Sequence, residues 1–245
     1  MRYLLVALAC LVCAQLPAQT EGKIIFEEKF DMHRNIPEER AHVKEMIPQY
    51  RSSYFELYYT EDASMYLASK DQEDEEVSGG GDRGRFRMRF AAPDRDIYKS
   101  IAENKMVDSR EFMTKKFLIK GKTDEFQWKV ADGQMMKILD MLCMKAEYKD
   151  TANTYVAWFT PQIPIANGPA EFGGLPGMIL MLDVNDGERV YTATEIQAIE
   201  VDRAVLKEPT KGKEVTSEEF REIMHEKMKE MRGQRGGPNV IIHRG

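Results

Sequence analysis

The sequence predicts a mainly β protein of the α+β class: a curved antiparallel sheet or half-barrel with a short N-terminal helix and an amphipathic C-terminal helix. Two observations predict it. Short apolar runs recur between turn residues, mostly without helical patterns between them, which is typical of antiparallel sheets. Asp186-Gly187 separates two such runs and is a strong hairpin signal. We expect strands at residues 24–30, 54–60, 64–68, 85–90, 96–102, 112–120, 125–130, 135–148, 154–160, 178–184 and 188–201.

Two helices are expected. The first covers residues 37–46, because proline suits the first helical turn and Pro48 ends the pattern. The second covers residues 216–232, where Thr216 and Glu219 have the spacing of a capping box. Its apolar stripe predicts core packing, with a surface helix for a membrane or partner as the alternative. The stripe consists of Phe220, Ile223, Met224, Met228 and Met231.

The N-terminal residues 1–19 have the pattern of a secretory signal peptide. Arg2 supplies a positive charge, residues 3–14 are apolar, and small residues follow. A buried N-terminal helix is one alternative, and lipidation at Cys10 within a weak lipobox is another. No later segment has the roughly 20 apolar residues that cross a bilayer. We therefore expect an exported chain with one β-rich domain at residues 20–245.

Two segments are expected to lack regular structure. Residues 71–85 join an acidic run to a glycine-rich run, which is typical of a solvated hairpin loop. Calcium binding is the alternative there, although the EF-hand spacing is missing. Residues 233–238 are expected to be a flexible joint, after which the apolar residues 239–243 dock as a strand on a sheet edge.

Charge and cysteine content restrict the function. A formal net charge of −6 provides no dominant basic field for a nucleic acid. Cys143 is the only cysteine outside the predicted signal peptide, so no internal disulfide is expected. Apolar neighbours raise the pKa of a thiol, which favours an inert buried Cys143. A reactive or metal-binding thiol is the alternative.

No motif indicates catalysis, a metal or a cofactor. The glycine-rich segments lack the Lys-Ser/Thr pair of a P-loop, and no Gly-x-Ser-x-Gly elbow occurs. The four histidines include no HExxH pair. We therefore predict no catalytic residue, no metal site and no cofactor.

Aromatic residues cluster around a proline-rich stretch of the sequence. The cluster predicts a core plug that closes one end of the sheet. A shallow groove for an extended peptide or an acyl chain is the functional alternative. Its members are Tyr155, Trp158, Phe159 and Phe172.

The stretch EFGGLPGMILMLDV at residues 171–184 joins a constrained loop to an apolar run. Leu175-Pro176-Gly177 suits a type II turn, because proline fixes one φ angle and glycine accepts a positive one. The unbroken apolar run after it predicts a strand that is covered on both faces. We interpret the motif as architectural, and a pocket around Gly174, Leu175, Pro176 and Gly177 is the alternative.

This region resembles the signature of the GLPGLI family, exported proteins of Bacteroidetes that are also called the Porphyromonas gingivalis family. This sequence has Met178 where the family has Leu, and Met141-Leu142 where Gly-Tyr is frequent. The resemblance implies an exported β-rich protein, often accompanying TonB-dependent outer-membrane receptors, and supplies no catalytic residues. The matching elements are Gly174-Leu175-Pro176-Gly177-Met178-Ile179, the AWFT of residues 157–160, Ile163-Pro164, Gly168-Pro169 and Cys143-Met144-Lys145-Ala146.

Three functions follow as expectations. The first is a non-catalytic binding or accessory protein in the periplasm, at the periplasmic face of the outer membrane, or secreted, whose partner is an outer-membrane receptor or another envelope protein. It predicts that Trp158 and Phe172 line an exposed concave surface for an apolar or peptide ligand. The second is a periplasmic carrier of lipid or lipoprotein. The third is an enzyme that uses Cys143.

Overall fold

In the computed structural model, the described residues are 20–34, 36–70, 75–79, 86–90 and 95–235. The side chains of residues 75–79, 86–90 and 232–235 are not described. The predicted signal peptide at residues 1–19 and the predicted strand at residues 239–243 lie outside these ranges.

Strands dominate the described part of the chain, and most of them form one sheet. Twelve strands join in the order β14-β8-β7-β6-β3-β2-β1-β13-β12-β11-β10-β9, while β4 and β5 form a separate hairpin. Every pairing is antiparallel except that of β14 with β8. The predicted mainly β class and curved antiparallel sheet are confirmed. The strands are β1 (Gly22–Asp31), β2 (Tyr50–Tyr59), β3 (Ala63–Ala68), β4 (Glu75–Gly79), β5 (Phe86–Phe90), β6 (Arg95–Ser100), β7 (Lys105–Phe112), β8 (Lys115–Gly121), β9 (Lys129–Ile138), β10 (Met141–Lys149), β11 (Thr154–Thr160), β12 (Met178–Val184), β13 (Arg189–Gln197) and β14 (Lys213–Thr216).

Strand β7 is absent from the sequence prediction because its inward-facing positions are partly charged. Met106, Asp108 and Arg110 share one face of the strand, and Asp108 is buried. Charged residues at inward positions hide the alternation of apolar and polar residues that predicts a strand. The prediction of a strand at residues 125–130 is wrong for residues 125–128, since β9 begins at Lys129.

The predicted strand at residues 135–148 is two strands joined by a tight turn. Leu139 and Asp140 both have positive φ angles, 46° and 67°, as a type I′ hairpin turn requires. Glycine and asparagine usually supply such angles, so this sequence carries no turn signal here. The predicted loop at residues 71–85 is also partly wrong, because Glu75–Gly79 pairs with β5.

The first predicted helix is shorter than expected. Glu38–Val43 forms a 3₁₀ helix that buries no residue and has no side-chain cap. Without an apolar face or a cap, this segment has little that would extend it to a full α-helix.

The second helix, α1, covers Ser217–Arg235 and is confirmed. Its first half packs on the sheet in a small core with Phe117, Ile119 and Val215, where Phe220 is buried. Met228 and Met231, in the second half, are exposed, so the core-packing interpretation holds for the first half. The helix also continues through Gly233, where the flexible joint was expected to begin. Within the described residues, no helix is both long enough and apolar enough to cross a membrane.

The apolar run after the GLPG motif lies in the interior of the sheet, as predicted. Strand β12 pairs with β11 on one side and β13 on the other. Met178, Ile179, Leu180 and Leu182 are fully buried, so both faces of the strand are covered. Residues 161–177 connect β11 to β12 and are called the plug loop, and five of their apolar side chains belong to the main core together with β12.

Candidate functional site: a cleft above the plug loop

The plug loop places its apolar side chains in the core of the half-barrel. Ile163, Ile165, Ala170, Phe172 and Leu175 are all buried there. The ring of Phe172 packs between those of Phe126, Tyr155 and Tyr191, with centroid distances of 4.9, 5.8 and 5.8 Å. The concave side of the sheet is therefore filled by a segment of the same chain.

The aromatic residues singled out from the sequence belong to this packing. Tyr155, Phe159 and Phe172 are buried, and Trp158 is partly buried against the same core. This arrangement matches the core-plug interpretation. The expectation that Phe172 lines an exposed concave surface is wrong, because the side chain is enclosed by other rings. A role of these residues in ligand binding stays a prediction.

The GLPG motif ends the plug loop in a turn that differs from the predicted type. The amide of Gly177 donates to the carbonyl of Leu175 at 2.8 Å, which defines a γ-turn centred on Pro176. The amide of Met178 instead donates to the carbonyl of Ile163 at 3.0 Å. The type II turn is therefore wrong, since it would direct the Met178 amide to Leu175. Proline permits both the type II turn and the γ-turn, and the hydrogen bond from Met178 to Ile163 selects the γ-turn.

Gly177 is required by a close backbone contact. A Cβ atom at this position would lie 2.2 Å from the carbonyl oxygen of Thr160, and the φ angle is 155°. Gly174 also has a positive φ, 85°, and donates to Ala166 at 3.2 Å. Leu175 is buried while Pro176 is exposed, which agrees with the architectural interpretation, and a pocket at these residues stays a prediction.

Lys99 on β6 holds the plug loop from the opposite side of the half-barrel. Its fully buried ammonium donates to Asn167 Oδ1 at 2.9 Å and to the carbonyls of Gly168 and Phe172 at 3.0 and 2.6 Å. Burial lowers the pKa of Lys99 to about 7, because none of these three acceptors carries a charge. Glu171, one residue before Phe172, offsets only part of this effect.

A network of charged side chains lies beside this anchor. Arg95 on β6 is buried and donates to Asp108 Oδ2 at 3.1 Å and to Glu171 Oε2 at 2.6 Å. Arg110 also donates to Asp108 Oδ2, through Nε at 2.8 Å. Burial alone would raise the pKa of Glu171, but the charges of Arg95 and Arg110 outweigh it and lower the pKa to about 2. Glu171 is therefore a carboxylate near neutral pH.

Above this network the half-barrel opens into a cleft of about 450 Å³. Strands β8 and β10 both line it, although eight strands separate them in the sheet order. The curvature of the sheet therefore creates the cleft, and α1 forms one of its walls. It is lined by Met106, Asp108, Arg110, Ile119, Glu125, Phe126, Tyr148, Asp150, Glu171, Ser217, Phe220, Arg221 and Met224.

Phe126 connects the cleft to the core. It lies in residues 122–128, the crossing segment that joins β8 to β9 from one side of the half-barrel to the other. Its ring meets that of Tyr148 at 5.7 Å and nearly at a right angle. Trp128, in the same segment, donates its indole N–H to the carbonyl of Gly173 at 2.8 Å. The crossing segment is thus attached to the plug loop as well as to β10.

Cys143 lies away from this cleft. It is fully buried, and burial raises the pKa of its thiol to about 11. A thiol of this kind is almost entirely protonated at neutral pH and is a poor nucleophile. The structure therefore favours the inert interpretation of Cys143. Within the described residues, no group of three or more His, Cys, Asp or Glu side chains could hold a metal ion.

Sequence reasoning missed the charged residues of the cleft. Asp108, Arg110 and Glu171 stand in no recognisable motif, and the 41 acidic residues of the chain make accidental pairs frequent. Glu171 and Asp108 are separated by 63 positions and meet only because both bind Arg95. The segment around Asp108 and Arg110, KMVDSREF at residues 105–112, mixes polar and apolar residues, so it offered no local signal for the site.

The plug loop lies within a region of the chain that matches a known protein family. Residues 96–181 match the Porph_ging family, described as protein of unknown function. The match includes β6 with Lys99 but without its first residue, Arg95, as well as β7 with Asp108 and the whole plug loop with its GLPG motif. It supports the Bacteroidetes-associated part of the sequence resemblance. The GLPGLI name itself stays a prediction.

Two solved structures of PNGF-II resemble this chain in fold. The structure in space group C2 has a TM-score of 0.55 and 13% identity, and that in space group P21 has a TM-score of 0.54 and 14% identity. Each comparison covers 84% of this chain but only 33% of the PNGF-II chain. Identities this low show a shared fold alone. No curated protein matches the chain.

Proposed function

We propose that this chain is an exported protein of the cell envelope that binds a ligand or partner in the cleft, without catalysing a reaction at Cys143. The cleft itself is the observation that carries the proposal. Aromatic side chains and ionised polar groups converge there in a volume of about 450 Å³, within the range of ligand sites of about 300–1,000 Å³. The buried Arg95 holds Asp108 and Glu171 in place before any ligand arrives.

Export and envelope location follow from the signal-peptide pattern and from the family resemblance. Service to a TonB-dependent receptor is the narrower form of the proposal, and the resemblance alone supports it. The carrier alternative has less support, because the plug loop occupies the concave apolar space where acyl chains would lie. The enzyme alternative has less support as well, because the buried Cys143 thiol has a raised pKa.

The proposal is tested by photo-crosslinking in intact cells of the native organism. A photoreactive amino acid that inserts into C–H bonds replaces Arg221, an exposed residue of α1 that lines the cleft. We expect light-dependent adducts, identified by mass spectrometry, in the envelope fraction. An outer-membrane receptor among the adducts would support the narrower form.

The matched control places the same amino acid at Glu226, which is exposed on α1 but does not line the cleft. Equal capture from both positions, or capture from neither, would contradict cleft binding. Intact-mass analysis of the cellular protein tests export separately. Full-length protein in the cytosol, with residues 1–19 retained, would contradict that part of the proposal.

A further inference from the structure

The cleft combines a nearly balanced set of charges with aromatic walls and one buried acceptor that has no partner. We infer that its ligand is a neutral, hydroxyl-rich ring, which is the chemistry of a carbohydrate. This inference rests on the proposed function and specifies the ligand class of the same cleft.

The balance of charge argues against a simple ion as the ligand. Four carboxylates line the cleft, those of Asp108, Glu125, Asp150 and Glu171, together with the two guanidinium groups of Arg110 and Arg221. Arg95 adds a third positive charge directly behind Asp108 and Glu171. An anion would meet the carboxylates, and a cation would meet the guanidinium groups. A neutral molecule that both donates and accepts hydrogen bonds fits this surface better.

Asp108 indicates where a donor of the ligand belongs. Its side chain is only 3% exposed, and Oδ2 accepts hydrogen bonds from both Arg95 and Arg110. Oδ1 has no partner among the described residues, and an unpaired buried acceptor is costly, by about 1–3 kcal/mol. This oxygen is shielded from bulk water, and because Asp108 lines the cleft, we expect a ligand hydroxyl to donate to it.

The aromatic side chains supply the matching apolar surface. Phe126 and Tyr148 stand nearly perpendicular at 5.7 Å, and Phe220 closes the side towards α1. One face of a sugar ring consists of C–H groups that pack on an aromatic ring, while its edge carries hydroxyl groups. A ring that packs on Phe126 or Tyr148 can therefore direct hydroxyls to the carboxylates of Asp108 and Glu171.

The sheet pairing argues against a peptide in the same place. Extended peptides often bind by adding a strand to a free sheet edge. The strands that line the cleft, β7, β8 and β10, are each paired on both sides. Recognition there depends on side chains rather than on a backbone ladder, and this favours a polyhydroxylated ring.

The test is saturation-transfer NMR on the purified full chain with cellobiose, maltose, mannobiose and N,N′-diacetylchitobiose, and with an end-capped trialanine peptide. We expect saturable binding of at least one disaccharide. Glu171→Gln and Arg221→Ala should each weaken it by about tenfold or more, a change that corresponds to about 1.4 kcal/mol. Glu226→Gln, on the part of α1 outside the cleft, should leave the affinity unchanged. Arg221 is at an exposed helix position, so its variant should fold even if Glu171→Gln does not.

The outcomes separate this inference from the proposed function. Binding to none of the disaccharides, with or without binding of the peptide, would overturn the carbohydrate inference. Disaccharide binding that both cleft variants leave unchanged would overturn it too, because the ligand would then sit elsewhere. Crosslinking from position 221 in cells would still support the cleft as a binding site in either case.

Discussion

Single buried polar residues position the plug loop and the cleft. Lys99 donates hydrogen bonds to three acceptors of the plug loop. Arg95 forms ion pairs with Asp108 on β7 and with Glu171 in the plug loop. Buried charges of this kind are tolerated only when their hydrogen bonds are satisfied. At this scale the loop is held by specific polar contacts as well as by apolar packing.

Replacing Lys99 should therefore release the plug loop. Lys99→Met leaves three acceptors without a donor, at about 1–3 kcal/mol each, while the loss of a buried charge offsets part of this cost. We expect a net loss of about 2–3 kcal/mol in the free energy of unfolding, measured by urea denaturation. Lys116→Met, at an exposed position of β8, is the matched control and should change little. A stability of Lys99→Met equal to that of the wild type would contradict the anchoring role.

Lys99 also predicts a dependence of stability on pH. Its pKa is about 7 in the folded chain, whereas the ordinary lysine value of 10.5 applies to the unfolded chain. Between these values the unfolded chain holds a proton that the folded chain has released, so stability should rise with pH across this window. The gain is complete above about pH 10.5 and is lost progressively as pH falls to about 7. The difference between wild type and Lys99→Met in urea midpoint, at about pH 7 and about pH 9, isolates this contribution. A difference that does not change with pH would contradict it.

Gly177 should be irreplaceable because of its contact with Thr160. Gly177→Ala places a methyl group against a backbone carbonyl that cannot move without disrupting β11, so we expect a loss of at least about 3 kcal/mol. Gly133→Ala is the control. It has a positive φ of 71° but free space around the Cβ position, so only strain of about 1 kcal/mol is expected. Thermal or urea unfolding of both variants measures the difference, and equal losses would show that strain alone matters.

At the scale of secondary-structure elements, different strands contribute different parts of the core and the cleft. β12 supplies the doubly covered apolar centre, β6 and β7 supply the polar groups, and β14 joins the far edge of the sheet directly before α1. The capping box of α1 is formed as predicted. The Thr216 amide donates to Glu219 Oε2 at 2.7 Å, and the Glu219 amide donates to Thr216 Oγ1 at 3.2 Å. The helix that forms one wall of the cleft is therefore capped by residues of its own first turn.

Thr216→Ala should loosen this wall. Loss of an N-cap hydroxyl costs about 1 kcal/mol. Because α1 packs on the sheet only through its first half, the effect should be local and appear as faster hydrogen exchange in residues 217–224. Thr210→Ala, in the exposed connection before β14, is the control. Unchanged exchange in α1 would show that packing of Phe220, rather than the cap, holds the helix.

At the scale of the whole molecule, the half-barrel is closed by chain segments that cross it. The crossing segment contacts the plug loop through Trp128 and Gly173, and contacts β10 through Phe126 and Tyr148. Strands that lie far apart in the sheet order are thereby held across one cavity. Stability and the shape of the cleft should consequently be linked.

Replacing Phe126, the central aromatic residue of the crossing segment, tests whether this segment stabilises the fold. Phe126→Ala takes away the contacts with Trp128, Tyr148, Tyr155 and Phe172, and we expect a loss of about 3 kcal/mol in the free energy of unfolding. Leu142→Ala, 49% exposed on β10, should stay within about 0.5 kcal/mol of the wild type. Urea denaturation followed by tryptophan fluorescence measures both. A small effect of Phe126→Ala would mean that the crossing segment lies on the half-barrel without stabilising it.

Features with a local cause follow from the sequence alone. The apolar run of β12 predicts a strand covered on both faces, and Thr216 with Glu219 predicts the start of α1, because neighbouring residues set both patterns. The turn at Pro176 was open locally, since proline fits two turn types, and the pairing of Met178 with Ile163 decided it. The cleft, in contrast, exists only in the folded chain. Its residues run from Met106 to Met224 and have no common spacing. They meet because a twelve-stranded sheet curves until its distant strands face each other, and no short stretch of sequence encodes that long-range closure.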